Sequence, residues 1–384
     1  MKILISAPLL IALGAYANAT DSLADALQNG NITGELRSYY FNQKIGDKKA
    51  DILSFALRLN YTTDFYYGFK GSITPQLSSS PFVDKDAKDM FKAPNGLYGH
   101  GVVLSEMYLS YMQSKSTVKA GRQFINMPLI KGGAGKAIIQ SFEGATLTSN
   151  EFSNNTFYAA YIRKFQKQTN GKGSAPKFEK LSGKYAYAFS VVNDYFEKLG
   201  LIGAYGGMKD EFSIFYMQAN FKDVFSYFNY QVAAQYSHTN YKNSALDDSN
   251  YYGVKVGVGI ENFNTYLAWA TIKDGDSKFG VVGGGNKCML FTSSYEQCAE
   301  YEKSKQYAID ANYNFKNLGL LTGIRYAHLD YEDINDKIDW KNIYATYYFS
   351  GVLDGLSAGF LYENENHKNT KDTNLYIARV AYKF

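Results

Sequence analysis

Tyr376-Ile377-Ala378-Arg379-Val380-Ala381-Tyr382-Lys383-Phe384 closes the chain, and its reading decides the fold. Counting back from the end, every second residue is aromatic or apolar: Phe384, Tyr382, Val380, Ala378 and Tyr376. The residues between them, Lys383, Ala381 and Arg379, tolerate water, and only Ile377 is out of line. A period of two sends the two sets to opposite faces of one strand. In a closed barrel such a strand is a stave, with lipid on one side and water on the other.

The alternation recurs upstream. Leu53, Phe55, Leu57, Leu59 and Tyr61 alternate with Ser54, Ala56, Arg58 and Asn60. Phe228, Tyr230, Val232, Ala234 and Tyr236 alternate with Asn229, Gln231, Ala233, Gln235 and Ser237. Val254, Val256, Val258 and Ile260 alternate with Lys255, Gly257 and Gly259. The second face is polar or small, where a soluble β-core would pack it. Eighteen strands are expected, at 31–42, 50–62, 65–78, 102–113, 115–123, 141–149, 154–164, 181–192, 198–205, 209–220, 224–238, 251–260, 263–272, 304–315, 318–331, 337–349, 354–366 and 372–384.

The connections sort by length. Thr63-Asp64, Ser114, Phe221-Lys222-Asp223, Glu261-Asn262 and Lys316-Asn317 read as tight turns. Between them lie long polar stretches at 79–101, 124–140, 165–180, 239–250 and 273–303. This predicts an all-β fold: one eighteen-stranded antiparallel transmembrane β-barrel, with short periplasmic turns and long external loops. A barrel of that size encloses an aqueous channel rather than a packed core, so the pattern implies a pore.

Composition agrees. The chain has 35 Tyr and 26 Phe against 6 Pro, and tyrosine suits a surface that is apolar on its body and polar at its tip. No segment beyond the N-terminus offers the apolar run a spanning helix needs. Met1–Ala19 reads as a secretory signal: Lys2, an apolar run from Ile3 to Leu13, then Ala17-Asn18-Ala19 as a small-x-small cleavage site. The run is too short for a membrane anchor. The expected organisation is a signal at 1–19, a short periplasmic segment at 20–30 with a helix near Asp21–Gln28, and a barrel over 31–384. About ten residues separate the cleavage site from the first strand, so no N-terminal plug is expected. The formal charge is +4, too small to argue for a nucleic-acid partner.

One connection differs from the rest. Residues 124–140 carry Phe124, Ile125, Met127, Leu129, Ile130, Ile138 and Ile139, with Gly132, Gly133 and Gly135 for sharp reversals. Those apolar side chains need a wall to bury against. The loop is therefore expected to fold into the lumen and place Lys131 and Lys136 at the narrowest point. Gly-Gly-Ala-Gly-Lys is not a phosphate-binding loop, since it lacks the first glycine and the following Ser or Thr.

Several stretches carry a family resemblance. They are Lys119-Ala120-Gly121-Arg122-Gln123, Met127-Pro128 and Gln140-Ser141-Phe142-Glu143-Gly144-Ala145. Gly34-Glu35-Leu36-Arg37-Ser38-Tyr39-Tyr40 and Gly351-Val352-Leu353-Asp354-Gly355-Leu356-Ser357 join them. Together they resemble OprD-type outer-membrane porins over almost the whole mature chain. The final Phe384, with Tyr382 two before it, resembles the C-terminal signal of bacterial outer-membrane proteins. The resemblance implies an outer-membrane barrel for passive, partly selective uptake of amino acids, peptides or organic anions. It also implies a ladder of basic residues down one lumen wall. Strand parity offers Arg37, Arg58, Lys119, Arg163, Lys255, Arg325, Arg379 and Lys383 as inward cations, with Arg122 opening the inward loop. Glu106 and Glu143 are the acidic candidates beside the constriction. Lysines stand where the family usually has an arginine before the loop closes, which leaves the substrate open.

The remaining chemistry is sparse. Cys288 and Cys298 are expected to form a disulfide in an oxidising compartment, tethering an external loop able to fold over the mouth. No metal or cofactor is expected, and with four scattered histidines no enzyme. The expected partners are outer-membrane lipid, small hydrophilic solutes and the barrel-assembly machinery, which would take the strand ending in Phe384. A homotrimer stays open, because a lipid face and a barrel–barrel contact are both apolar. The alternatives are a general ion porin without a solute site and a barrel whose external loops act as adhesin or receptor.

Overall fold

The computed structural model describes residues 22–91, 97, 99–286, 289–332 and 335–384. The expected signal at 1–19 lies outside them. The chain opens with α1 (Leu23–Gln28), capped by Ser22, whose side chain accepts from the Asp25 backbone N–H. Eighteen long strands follow: β1 (Asn31–Ile45), β2 (Lys48–Thr62), β3 (Phe69–Ser79), β4 (Gly99–Gln113), β5 (Ser116–Gln123), β6 (Ser141–Ser149), β7 (Asn155–Gln166), β8 (Ala186–Phe196), β9 (Leu199–Met208), β10 (Phe212–Phe225), β11 (Phe228–Tyr241), β12 (Ser249–Ile260), β13 (Phe263–Asp274), β14 (Ser304–Phe315), β15 (Leu320–Tyr331), β16 (Asp336–Tyr348), β17 (Leu356–His367) and β18 (Thr373–Lys383).

Each strand pairs antiparallel with the next, and β18 pairs antiparallel with β1. The closure leaves no exposed sheet edge. At the seam the Gly34 N–H donates to the Phe384 carbonyl at 2.7 Å, and the Phe384 N–H returns to Gly34 at 3.1 Å. A side chain at Gly34 would meet the Phe384 ring at 2.3 Å.

The burial pattern is inverted relative to a soluble protein, as a lipid exterior requires. Val254, Val256, Leu267, Ile309, Ile324 and Ile343 are exposed outside. Gln76, Gln123, Gln235, Gln306, Asn342 and Glu363 are buried. All long connections lie at one end, at 80–98, 124–140, 167–185 and 275–303. Two turns differ from expectation. Phe221-Lys222-Asp223 stays within β10, and the hairpin turns at Ser226-Tyr227, where Ser226 takes a positive φ of 57°. Lys222 and Asp223 face water and break the apolar alternation without ending the strand; Asp223 pairs with Lys198 at 2.9 Å. Likewise β1 and β2 join through Gly46-Asp47, and β9 and β10 through Lys209-Asp210-Glu211, so the loop end holds tight connections too.

The resemblance stretch around Gly144 has a steric reason. Between Glu143 and Gly144 the register with β7 shifts, and a Cβ on Gly144 would meet the Tyr161 carbonyl oxygen at 2.0 Å. Backbone atoms cannot rotate away. Gly144→Ala is expected to cost about 1–3 kcal/mol or more, as overpacking does. The check is a lowered temperature for loss of the compact, heat-modifiable band on gels.

Candidate functional site: a lumen filled by three loops

Three loop-end connections fold inward. The first is 124–140. It forms a hairpin of Asn126-Met127 against Leu129–Lys131. Ile125, Met127, Leu129 and Ile130 bury beside Phe142 and Ile162 on the inner wall. The Glu106 carboxylate accepts from the Phe124 N–H at 3.1 Å and from Thr74 Oγ1 at 2.7 Å. Glu106 therefore faces inward and pins the start of the loop.

The second is 275–303, the strap. Rather than covering the mouth it descends into the lumen. Gly280–Val282 runs parallel to Leu129–Lys131, making a small three-stranded sheet inside the barrel. Gly283 takes a φ of +92°, and a Cβ there would sit 2.4 Å from the Lys131 carbonyl, so only glycine passes. Further on, the strap is tied to many staves. The Met289 carbonyl accepts from Gln235 at 3.1 Å and the Phe291 carbonyl from Arg325 at 3.0 Å. Ser294 donates to Glu363, and Glu296 pairs with Arg379 at 2.5 Å. Cys298 is disulfide-bonded; Cys288 lies outside the described residues.

The third joins β3 to β4 and carries α2 (Lys85–Phe91) among its described residues. Ala87 and Phe91 are fully buried against Tyr39, Phe41, Ile52, Leu361, Leu375 and Ile377. This explains the odd Ile377: it faces inward because a helix covers it.

Together the loops leave a charged constriction. Arg37 Nη1 donates to the carbonyls of Ala134 at 2.7 Å and Lys136 at 2.8 Å, gripping the tip of the inward loop. Its Nη2 pairs with Glu35 at 2.9 Å, and Glu35 also pairs with Arg58 at 2.8 Å. Arg58 lies 5.8 Å from the Phe124 ring centre. Arg379 stacks on Tyr39 at 5.0 Å. Burial holds the Lys136 ammonium below the usual lysine range, opposed by the nearby Glu296 carboxylate. Burial likewise pushes the Tyr295 phenol up, so it stays a neutral donor, to Asp310 at 3.3 Å. A cavity of about 400 Å³ opens beside Arg37, Arg379, Lys383, Tyr295 and Tyr344. On the other wall Arg325 donates to the Tyr266 hydroxyl, and Lys255 lies 4.6 Å from the Phe291 ring. A second cavity of about 570 Å³ contains Lys255, Lys222 and Asn312. Lys119 lies lower, beside Gln123 and Thr146 under the inward loop. The Lys131 stem packs against Gly285.

Three expected members are elsewhere. Arg122 pairs in register with Met107 and with Glu143, and Met107 is 52 % exposed on the outer face. Arg122 and Glu143 thus lie outside the wall, joined at 3.1 Å, with Lys164 bonded to Glu143 at 2.5 Å. Arg163 occupies the register shift opposite Glu143 and shares that outer side. Its neighbour Ile162 faces in against the inward loop, which reverses the parity that apolar character suggests. Residues the sequence reading missed are Glu35, Glu296, Asp310 and Glu363. The acids on strands could have been found by parity: Glu35 is two before Arg37, and Asp310 alternates with the outward Ile309. Glu296, on a loop, could not. Gly355-Leu356-Ser357-Ala358-Gly359 has the spacing of a hydrolase nucleophile turn, but it leads into β17 rather than a helix, and Ser357 Oγ donates to the Ala381 carbonyl at 3.4 Å.

Residues 109–374 match the family described as outer membrane porin, OprD family. The chain belongs to that family. As an OprD-family porin it is a bacterial outer-membrane protein. No curated protein sequence matches it. Among solved structures it is similar to Pseudomonas aeruginosa OccK9 (OpdG), with a TM-score of 0.83 at 14 % identity, covering 94 % of this chain and 99 % of that one. It is also similar to P. aeruginosa OpdK solved with vanillate (0.81, 15 %, 93 % and 99 %). A BenF-like porin from P. fluorescens Pf-5 is a third (0.81, 16 %, 94 % and 100 %). At such identities the likeness speaks for the shared barrel.

Proposed function

We propose that this porin passes small hydrophilic solutes passively, with a preference for those bearing a carboxylate: amino acids, peptides or organic anions. The observation that carries the reading is the placement of Arg37 and Arg379 on adjacent staves, both lining one cavity at the constriction. Arg58, Lys255, Arg325 and Lys383 extend the positive lining. The lumen acids are tied up by neighbours, Glu35 by two arginines, Glu296 by Arg379 and Glu363 by Ser294 and Asn342. Walls of low dielectric focus the resulting field and raise the local anion concentration. Arginine holds a carboxylate in two-point fashion and keeps its charge. A row of weak sites hands the anion onward without trapping it. The vanillate in the OpdK structure is a carboxylate of this kind.

The test is the single-channel reversal potential under a salt gradient, for the parent and for Arg379→Gln. The parent should prefer anions, and vanillate should transiently block its current. One charge acting through water at about 4 Å is worth about 1 kcal/mol, so the variant's anion-to-cation permeability ratio should fall about five-fold. A cation-preferring parent would overturn the reading. Anion preference without block by any carboxylate would favour a general ion porin.

A further inference from the structure

The outer face carries a charge cluster that the pore does not use. Arg122 on β5, Glu143 on β6, Lys164 on β7 and Lys180 on the short strand Phe178–Lys180 are paired across in one register. Residues directly opposite one another share a face, so the row runs along the outer wall. Arg163 joins it, because at the register shift two residues of β7 oppose Glu143. Four cations thus share this stretch of wall with one carboxylate, which bonds two of them. Arg122 and Lys164 are bonded to Glu143, yet each stays about a third exposed, at 30 % and 36 %. Arg163 and Lys180 are exposed, with no ion-pair partner among the described residues. The Arg122 guanidinium is held against the Phe178 ring at 4.5 Å.

The position is as informative as the charge. Arg122 is one residue from the loop-side end of β5, and Lys164 two from that of β7. Met107 lies level with Arg122, and further down the same face lie Leu109, Val118, Leu147 and Tyr161, all exposed. Cations thus sit above an apolar belt, on the side of the membrane that carries the long loops. A bound molecule should be anionic at its head and apolar below. We propose that this row binds the phosphorylated headgroup of an outer-leaflet lipid, with its acyl chains lying on the apolar belt. Guanidinium groups match phosphate oxygens in two-point fashion, and the Glu143 carboxylate spaces the cations without neutralising them. A second copy of the chain would bring the same positive excess against itself.

The test uses the folded full-length barrel in detergent and native mass spectrometry. The probes are a bisphosphorylated, acylated glucosamine disaccharide lipid and its dephosphorylated form. The parent should retain the phosphorylated lipid at least ten-fold better. Arg163→Gln/Lys180→Gln removes two surface charges, each worth several-fold in attraction to an anionic surface, so retention should fall on the order of ten-fold. Single-channel conductance should be unchanged, since neither residue lines the lumen. Lys180→Gln alone, outside the barrel staves, is the variant least able to disturb folding and should show a partial loss. Equal retention of both lipids, or full retention by both variants, would overturn the proposal. So would a lipid-free oligomer that the double variant dissociates, which would assign this face to a second copy.

Discussion

Replacing residues 277–301 by a short glycine–serine link should raise single-channel conductance several-fold and nearly abolish ion preference. The strap fills lumen that eighteen strands would otherwise leave open. It is anchored through Gln235, Arg325, Asn342, Glu363 and Arg379, so its removal vacates several staves at once. The barrel itself should persist, because the ladders between β13, β14 and β15 do not involve the strap. Two effects compete: the larger water-filled section weakens the hold of every wall charge on a passing ion, and it outweighs the freeing of Arg379 by the loss of Glu296. Unchanged conductance in a shortened barrel that still migrates as a compact species would show that the strap does not lie in the ion path.

Arg37→Ala should have the second largest effect, and it should be on noise as well as selectivity. The Arg37 guanidinium makes two charge-assisted bonds to the tip of the inward loop and one to Glu35. Hydrogen bonds to charged groups are worth about 1.5–3 kcal/mol each, and they are not additive. Loss of even part of that sum releases the tip at Ala134 and Lys136. The open-channel current should then flicker between levels, and anion preference should fall because Glu35 keeps only Arg58 as partner. Arg37→Lys should restore the charge but not the two-point grip, so preference recovers more than quiet gating does. Recordings as quiet as the parent's would show that other contacts hold the loop, for example Gly133 N–H to Gln140 at 2.8 Å.

The barrel was legible because lipid imposes one rule on every stave: apolar out, polar or small in. The rule fails where the lumen is dry. Ile377, Ile52 and Ile162 are apolar and face inward because α2 or the inward loop packs on them. That one cause accounts for the odd residue in the final strand and for the misplacement of Arg163. Arg122 was within reach of simple counting. If Lys119 faces in, a residue three further on faces out, provided the strand continues, and β5 runs to Gln123. Reading Arg122 as the start of a loop suspended the count one turn too early. Glu296 is different in kind. It reaches Arg379 across 83 residues from a loop whose path no periodicity records. The descent of the strap is likewise a tertiary fact, although Gly283-Gly284-Gly285 marked a place where two backbones could approach.

The seam between β1 and β18 fixes an order of events. Every other ladder between two staves joins neighbours along the chain, whereas Gly34 and Phe384 meet only after all the intervening staves exist. Pairings so distant in sequence are slow to find. The helix at 85–91, the loop at 124–140 and the strap rest on β1, β16, β17 and β18, so their full set of contacts is complete only once that joint is made. Until it is made, the wall is an open sheet. Its two raw edges, β1 and β18, would be the surfaces a catalyst of insertion has to shield.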